Sequence, residues 1–170
     1  IKFFKKKENK LELYLVGDVG VGKTMILDFF FKQLNEKKLR LHFNEFMIKF
    51  HDFIFENKDK SSGVDLFVKN LSKKTKLLYF DEFQVTNIVD AMILGKLFKK
   101  IFEEKIKVIF SSNIKIKDLY KDGLQRDQFI PFIRILEDNS NEKELLIKDD
   151  YRSSNNKSLD RFLSRINKST

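Results

Sequence analysis

Residues 15–26 read LVGDVGVGKTMI: a short apolar run, three glycines in six positions, then a lysine, a threonine and more apolar residues. Gly17 to Thr24 satisfies the pattern G-x-x-x-x-G-K-[ST], between a strand candidate (Leu11 to Val16) and a helix candidate (Met25 to Leu34). Glycines in such a loop let successive backbone N–H groups point at phosphate oxygens, and the dipole of the following helix adds partial positive charge there. A plain turn needs neither the lysine nor the hydroxyl, so the pattern predicts a phosphate-binding loop.

The same pattern predicts a role for each residue of the loop. Lys23 is predicted to reach the β- and γ-phosphates of a nucleotide, and Thr24 is predicted to hold Mg²⁺. The remaining positions would bind phosphate through their backbone N–H groups. The predicted nucleotide-binding residues are therefore Gly17, Asp18, Val19, Gly20, Val21, Gly22, Lys23 and Thr24.

Short apolar runs alternate with stretches of helical spacing along the rest of the chain. The further strand candidates are Leu39 to Phe43, Leu77 to Phe80, Ile106 to Phe110 and Glu144 to Ile147, and the helix candidates are Asn44 to Phe55, Val64 to Leu71 and Thr86 to Phe102. The predicted apolar face of the last helix consists of Val89, Met92, Ile93, Leu97 and Ile101. Strands separated by helices imply right-handed crossovers, so we expect an α/β fold with a parallel sheet and helices on both faces.

Two adjacent carboxylates follow the apolar strand in LLYFDEF, residues 77–83. At a strand end, Asp81 can bind Mg²⁺ through water, and Glu82 can polarise the attacking water as a general base. Alternation of side chains along a strand would point the two carboxylates in different directions, which suits two distinct roles. The pair therefore predicts hydrolysis of the bound nucleotide.

Two further residues are candidates for the catalytic step. Asn113 ends the fourth strand, where a neutral polar side chain would lie beside the γ-phosphate and hold the attacking water. Arg126 follows a turn glycine and precedes a helix that carries Pro131; an arginine supplied to a neighbouring subunit would stabilise transition-state charge. A surface salt bridge is the alternative role for Arg126, and Arg134 is a second candidate that better fits the edge of the core.

Composition limits the classes of function. The 170 residues fit one domain, and there is no run of about 18 apolar residues that would span a membrane. The absence of cysteine excludes disulfides and thiolate metal sites, and Ile1 in place of methionine suggests a fragment. The net charge of +9 would ordinarily indicate nucleic acid, but 28 of the 34 basic residues are scattered lysines, which favours a solvated surface.

The motifs together resemble the ZapE family of AAA+ ATPases, which includes bacterial cell-division proteins and mitochondrial ATPase-family-gene-one-like relatives. The resemblance runs from residue 11 to residue 152 and rests on GDVGVGKTM, HFNEFM, FDEFQVTNIVDAMIL, SSN, DLYKDGLQR, FIPFI and YR. It implies a five-stranded AAA+ domain that binds ATP and Mg²⁺ and assembles into a homo-oligomeric ring, expected to be a hexamer. The implied partner is a protein: the FtsZ division ring in the bacterial cytoplasm, or membrane proteins under quality control from the mitochondrial matrix side.

Carried over by position, the family's phosphate loop falls on residues 17–24, its carboxylates on Asp81 and Glu82, its sensor on Asn113 and its arginine finger on Arg126. The resemblance also makes Phe46 and Met47 candidates for a substrate-gripping pore loop, although Phe46 equally fits the core spacing of a helix. The family's usual acidic residue after VT is replaced by Asn87, which we expect to cap a helix. Residues 1–152 are thus predicted to form the AAA+ core, and residues 153–170 a polar tail that begins a further segment.

Two other classes of function remain open. A helicase-loader-like AAA+ ATPase that acts with nucleic acid would share the phosphate loop, the carboxylate pair and the sensor, and it would explain the basic charge. A nucleotide-dependent scaffold would bind without turnover, but such a protein has little need for Glu82 and Arg126. At most peripheral membrane association is expected.

Overall fold

A computed structural model describes residue 10, residues 12–58 and residues 62–146. The strands are β1 (Glu12–Val16), β2 (Lys38–His42), β3 (Leu77–Asp81), β4 (Lys107–Ser112) and β5 (Ser140–Glu144). The α-helices are α1 (Lys23–Gln33), α2 (Phe43–Glu56), α3 (Gly63–Lys74), α4 (Ile88–Glu103) and α5 (Arg126–Asn139), and a short 3₁₀ helix spans Ile116–Asp118. The predicted tail and the YR at residues 151–152 lie outside the described residues.

All five strands are parallel and lie in the order β2-β3-β4-β1-β5. The register pairs Val16 with Ser112 and Phe80 with Phe110, so β1, β3 and β4 end at the same edge of the sheet. In open parallel sheets, ligands bind outside the carboxyl ends of the strands. The prediction of a parallel α/β sheet is confirmed, and the sheet brings the segments after β1, β3 and β4 together.

Phenylalanine fills the core on one face of the sheet, where α2, α3, α4 and α5 pack. Phe83 is at its centre: its ring centroid lies 4.6 Å from that of Phe43 and 4.8 Å from that of Phe110. The other face is covered by α1, whose Leu27 packs with Leu15 and Tyr79. Helices therefore lie on both faces, as predicted.

The predicted position of the fifth strand is wrong. The apolar residues in the range Glu144 to Ile147 predict a strand there, whereas β5 is the polar segment SNEKE. Ile147 lies outside the described residues. β5 is an edge strand that pairs residue for residue with β1, so main-chain hydrogen bonds rather than apolar burial determine where it lies.

The predicted apolar face of α4 is also wrong in its first half. Val89 and Met92 are exposed and line a groove of about 420 Å³, whereas Ala91, Leu94 and Phe98 are buried with the predicted Leu97 and Ile101. Apolar residues surround the start of this helix, so periodicity alone does not choose the buried side. The expected cap is confirmed: the Asn87 side chain accepts a hydrogen bond from the Val89 N–H at 2.8 Å. Within the described residues, no helix is both long and apolar enough to span a membrane.

Candidate nucleotide site

The loop from Gly17 to Thr24 joins β1 to α1, where the sequence predicts it. Gly20 and Gly22 have φ values of 84° and 88°, a left-handed conformation that glycine adopts at little cost. Gly22 is the N-cap of α1 and has no side chain, so the first-turn N–H groups remain for an external acceptor. Such a helix start favours a bound anion.

Lys23 lies at the centre of this loop and is buried. Its Nζ donates to the backbone oxygen of Gly17, to that of Asp18 at 2.8 Å, and to Oδ1 of Asn113 at 2.8 Å. Loss of hydration lowers the pKa of Lys23, and the nearby charges of Asp18 and Asp81 oppose that shift. The ammonium group is therefore held between the loop and the end of β4.

The candidate site is a cavity of about 350 Å³ at the carboxyl edge of the sheet. It brings together groups that are far apart in the sequence, contributed by the loop, by β3 and by β4. The predicted site residues that line it are Gly20, Val19, Gly22, Lys23, Thr24, Asp81, Glu82 and Asn113. Gly17 and Asp18 line an adjacent cavity, in which Asn113 also takes part.

The two carboxylates have different environments, but not through the predicted alternation along a strand, because β3 ends at Asp81 and Glu82 lies beyond it. The Asp81 side chain is 10% exposed at the end of β3, whereas that of Glu82 is 77% exposed. Glu82 has a φ of 51°, a conformation that costs a non-glycine residue about 1–2 kcal/mol. The next residue is fixed on both sides, because the Phe83 N–H donates to Ser111 and the Ser112 hydroxyl donates to the Phe83 carbonyl, each at 2.7 Å. The turn thus separates Glu82 from Asp81 and faces it toward the cavity.

The donor set suits a divalent cation. Mg²⁺ prefers oxygen ligands and is usually bound by one or two protein groups together with substrate phosphates. The Thr24 hydroxyl and the Asp81 carboxylate supply such oxygens, and both residues line the same cavity. The residues present therefore fit Mg²⁺.

Sequence reasoning missed Met25 and Ser111, which line the cavity, and also Arg40, which contacts Asp81. Its Nη2 donates to Oδ2 of Asp81 at 2.6 Å, and its other terminal nitrogen donates to Asp28 on α1. A basic residue in the middle of KLRLH resembles a solvent-exposed position of an edge strand. Only the register between β2 and β3 indicates that Arg40 lies near Asp81, because β2 pairs Arg40 with Tyr79 and His42 with Asp81. Neither segment by itself reveals that pairing.

Arg126 lies at the start of α5 and, within the described part of the chain, does not line the cavity. Its Nη2 donates to the backbone oxygen of Lys117 at 2.8 Å. Its Nε is buried, with no hydrogen-bond partner among the described residues. The role of arginine finger for a neighbouring subunit remains a prediction.

The prediction that Phe46 and Met47 form a pore loop is wrong. Both side chains are 2% exposed, and the Phe46 ring centroid lies 4.8 Å from that of Phe80 in the core. The physical reason is that α2 begins at Phe43, directly after β2 ends at His42, so these two residues lie on the buried face of a helix. The alternative that Phe46 follows core spacing is correct.

A profile of the family described as AFG1-like ATPase matches residues 1–170. The chain belongs to the AFG1-like ATPase family. It is 35% identical over 122 residues to the cell division protein ZapE of Escherichia coli K12, which covers 71% of this chain and 32% of ZapE. It is 38% identical over 137 residues to lactation elevated protein 1 homolog B of Danio rerio, which covers 74% of this chain and 27% of the relative. The chain thus spans about a third of the length of these family members, and the predicted resemblance is confirmed.

The fold is that of P-loop AAA+ ATPases. Domain III of the replication initiation protein DnaA from Thermotoga maritima matches with a TM-score of 0.60 and 18% identity, over 85% of this chain and 58% of that domain. At this identity the similarity concerns the fold alone.

Proposed function

We propose that this AFG1-like ATPase family member hydrolyses ATP in a magnesium-dependent reaction at the cavity that follows β1, β3 and β4. One observation carries the proposal: Lys23, Thr24, Asp81, Glu82 and Asn113, which come from three segments, all line that cavity. A structural turn or a surface carboxylate pair would not require this convergence. The polar lining at the carboxyl edge of a parallel sheet is the expected place for a nucleotide.

Each residue would have a distinct task. The loop N–H groups and Lys23 bind the phosphates, while Thr24 and Asp81 hold Mg²⁺, which when bound neutralises developing phosphate charge. Glu82 accepts the proton of the attacking water, since its exposed carboxylate can reach solvent. Asn113 orients that water and senses the γ-phosphate from the end of β4. Arg126 acts on the site of a neighbouring subunit.

We further propose that the complete protein assembles into a ring, expected to be a hexamer, and uses ATP turnover to remodel a protein partner. The support is the relative that is named a cell division protein, and FtsZ is the partner that the family resemblance implies. A cytoplasmic location follows if the source is bacterial, and the mitochondrial matrix side follows if it belongs to the eukaryotic branch.

A helicase-loader-like activity on nucleic acid is the second candidate. The net charge of +9 and the similarity of the fold to a DNA replication initiation protein favour it. The first candidate has stronger support because the 35% identity to ZapE concerns sequence, whereas the 18% identity to DnaA concerns the fold alone.

The test is ATP turnover by the full-length protein over a concentration series, for wild type, Glu82→Gln, Arg126→Ala and an equimolar mixture of the two variants. Turnover that rises with concentration, is lost in each variant and returns in the mixture would support action of Arg126 across a subunit boundary. Turnover that does not depend on concentration or on Arg126 would contradict the ring. Stimulation by nucleic acid but by no protein partner would favour the second candidate.

A further inference from the structure

Arg40 lies on the edge strand β2 and connects α1 to β3, two elements that contribute residues to the candidate site. Its guanidinium group donates to Oδ2 of Asp81 at 2.6 Å and to Oδ1 of Asp28. Its guanidinium carbon lies 4.9 Å from the centroid of the Tyr79 ring. Asp28 belongs to α1, which begins at Lys23, and Asp81 ends β3. One side chain therefore joins the helix that carries the phosphate loop to the strand that carries the predicted magnesium carboxylate.

The arrangement gives Arg40 a defined orientation. A guanidinium group presents several N–H donors in a rigid plane, so it can bind two carboxylates at once and stack on a ring, whereas lysine is a single flexible charge. The Arg40 side chain is partly shielded from solvent, and Asp81 is more so. The carboxylates come from different elements, so their separation depends on the group that bridges them.

Arg40 leaves Asp81 able to bind a second cation. An ionised carboxylate has two oxygens and about four acceptor positions. Arg40 contacts Oδ2, and the Tyr79 hydroxyl donates to Oδ1 only at the long distance of 3.4 Å. The pairing with arginine is thus compatible with a metal at the same carboxylate.

We propose that Arg40 is a positioning residue that holds Asp81 in place relative to α1, so that Asp81 and Thr24 bind one divalent cation together. The inference rests on the proposed function and concerns the affinity for the metal, not the affinity for nucleotide. Removing a side chain that orients a metal ligand commonly lowers metal affinity or activity by about 10- to 100-fold. An ion pair that serves only stability at a partly exposed site would contribute little.

The experiment compares wild type, Arg40→Ala and Arg40→Lys in the full-length protein. Affinity for a fluorescent ATP analogue is measured in EDTA, affinity for Mn²⁺ in the presence of nucleotide is measured by electron paramagnetic resonance, and turnover is titrated with Mg²⁺. We expect nucleotide affinity without metal to change by less than about twofold, and Mn²⁺ affinity and turnover to fall about tenfold or more in both variants. In an Asp81→Asn background, Arg40→Ala should cause no further loss, because Arg40 acts through Asp81.

Lys38→Ala is the matched control. Lys38 lies two residues earlier on β2, and its Nζ contacts backbone oxygens at the end of α1, including that of Leu34 at 2.7 Å. Its loss should lower the melting temperature without changing Mn²⁺ affinity.

A lower melting temperature with unchanged Mn²⁺ affinity in Arg40→Ala would overturn the proposal. Tighter Mn²⁺ binding in Arg40→Ala would also overturn it, since it would show that Arg40 competes with the metal. If wild type and Arg40→Ala turn over ATP at the same rate, only this inference fails. If wild type neither binds Mn²⁺ in the presence of nucleotide nor turns over ATP, the proposed function fails, and this inference fails with it.

Discussion

Oδ1 of Asn113 lies 2.8 Å from Nζ of Lys23, although the two residues are 90 positions apart in the sequence. The contact joins the end of β4 to the start of α1 and exists because β1 and β4 are neighbouring parallel strands. It places the predicted sensor directly beside the predicted phosphate-binding lysine. A change in what Lys23 binds must therefore change the surroundings of Asn113.

The first prediction concerns Asn113. Asn113→Ala removes a polar group that would orient the attacking water, so we expect kcat to fall about 10²-fold with little change in KM. Steady-state kinetics of the full-length protein measures both constants. Asn141→Ala is the control, because Asn141 is an exposed asparagine on the edge strand β5, away from the cavity lining. Equal effects of the two substitutions would contradict a catalytic role for Asn113.

The second prediction separates binding from stability at Lys23. Lys23→Met keeps the aliphatic stem but removes a buried cation, so nucleotide affinity should fall at least about tenfold while the free energy of unfolding stays equal or rises. Equilibrium binding of a fluorescent ATP analogue and urea unfolding provide the two measurements. Lys32→Met, at an exposed position of the same helix, should change neither. A large loss of stability in Lys23→Met would mean that the ammonium group is primarily structural.

The sequence predicts the parts of this molecule that depend on local chemistry. The phosphate loop needs glycine, lysine and threonine at fixed spacing, and the buried strand before Asp81 is uniformly apolar, so both lie where predicted. β5 was misplaced because an edge strand is defined by its pairing with β1 and not by its own composition. Arg40 was missed for a related reason, since its contact with Asp81 depends on the register between β2 and β3.

The prediction that Phe46 lies in a pore loop is wrong because the position of a residue in a family motif does not determine whether its side chain is buried. The buried position of Phe46 can be tested by substitution. Phe46→Ala should lower the free energy of unfolding by about 3–5 kcal/mol, because a fully buried aromatic ring leaves a cavity. Phe55→Ala, on the same helix but 73% exposed, should cost less than about 1 kcal/mol. Chemical denaturation measures both values, and near-equal costs would contradict the buried position of Phe46.

The last prediction concerns Glu12, a buried carboxylate at the start of β1, which lies between β4 and β5 in the sheet. Its side chain accepts a hydrogen bond from the Val108 N–H, yet burial is the larger effect and raises its pKa from 4.5 to about 7, while the hydrogen bond and the nearby charge of Lys107 oppose the shift. The folded protein therefore binds a proton more tightly than the unfolded chain does. Its stability should fall as pH rises from about 4.5 to 7 and then level off, by about 3 kcal/mol in all.

Glu12→Gln tests this pH dependence because glutamine is neutral at every pH and can still accept the hydrogen bond from Val108. We expect the variant and wild type to have similar free energies of unfolding near pH 4.5, where Glu12 is protonated in the folded state. Above pH 7 the variant should be more stable by about 3 kcal/mol, since wild type then carries a buried charge. Urea unfolding at a series of pH values gives the difference directly. A difference that stays constant between pH 4.5 and 8 would show that folding does not change the proton affinity of Glu12.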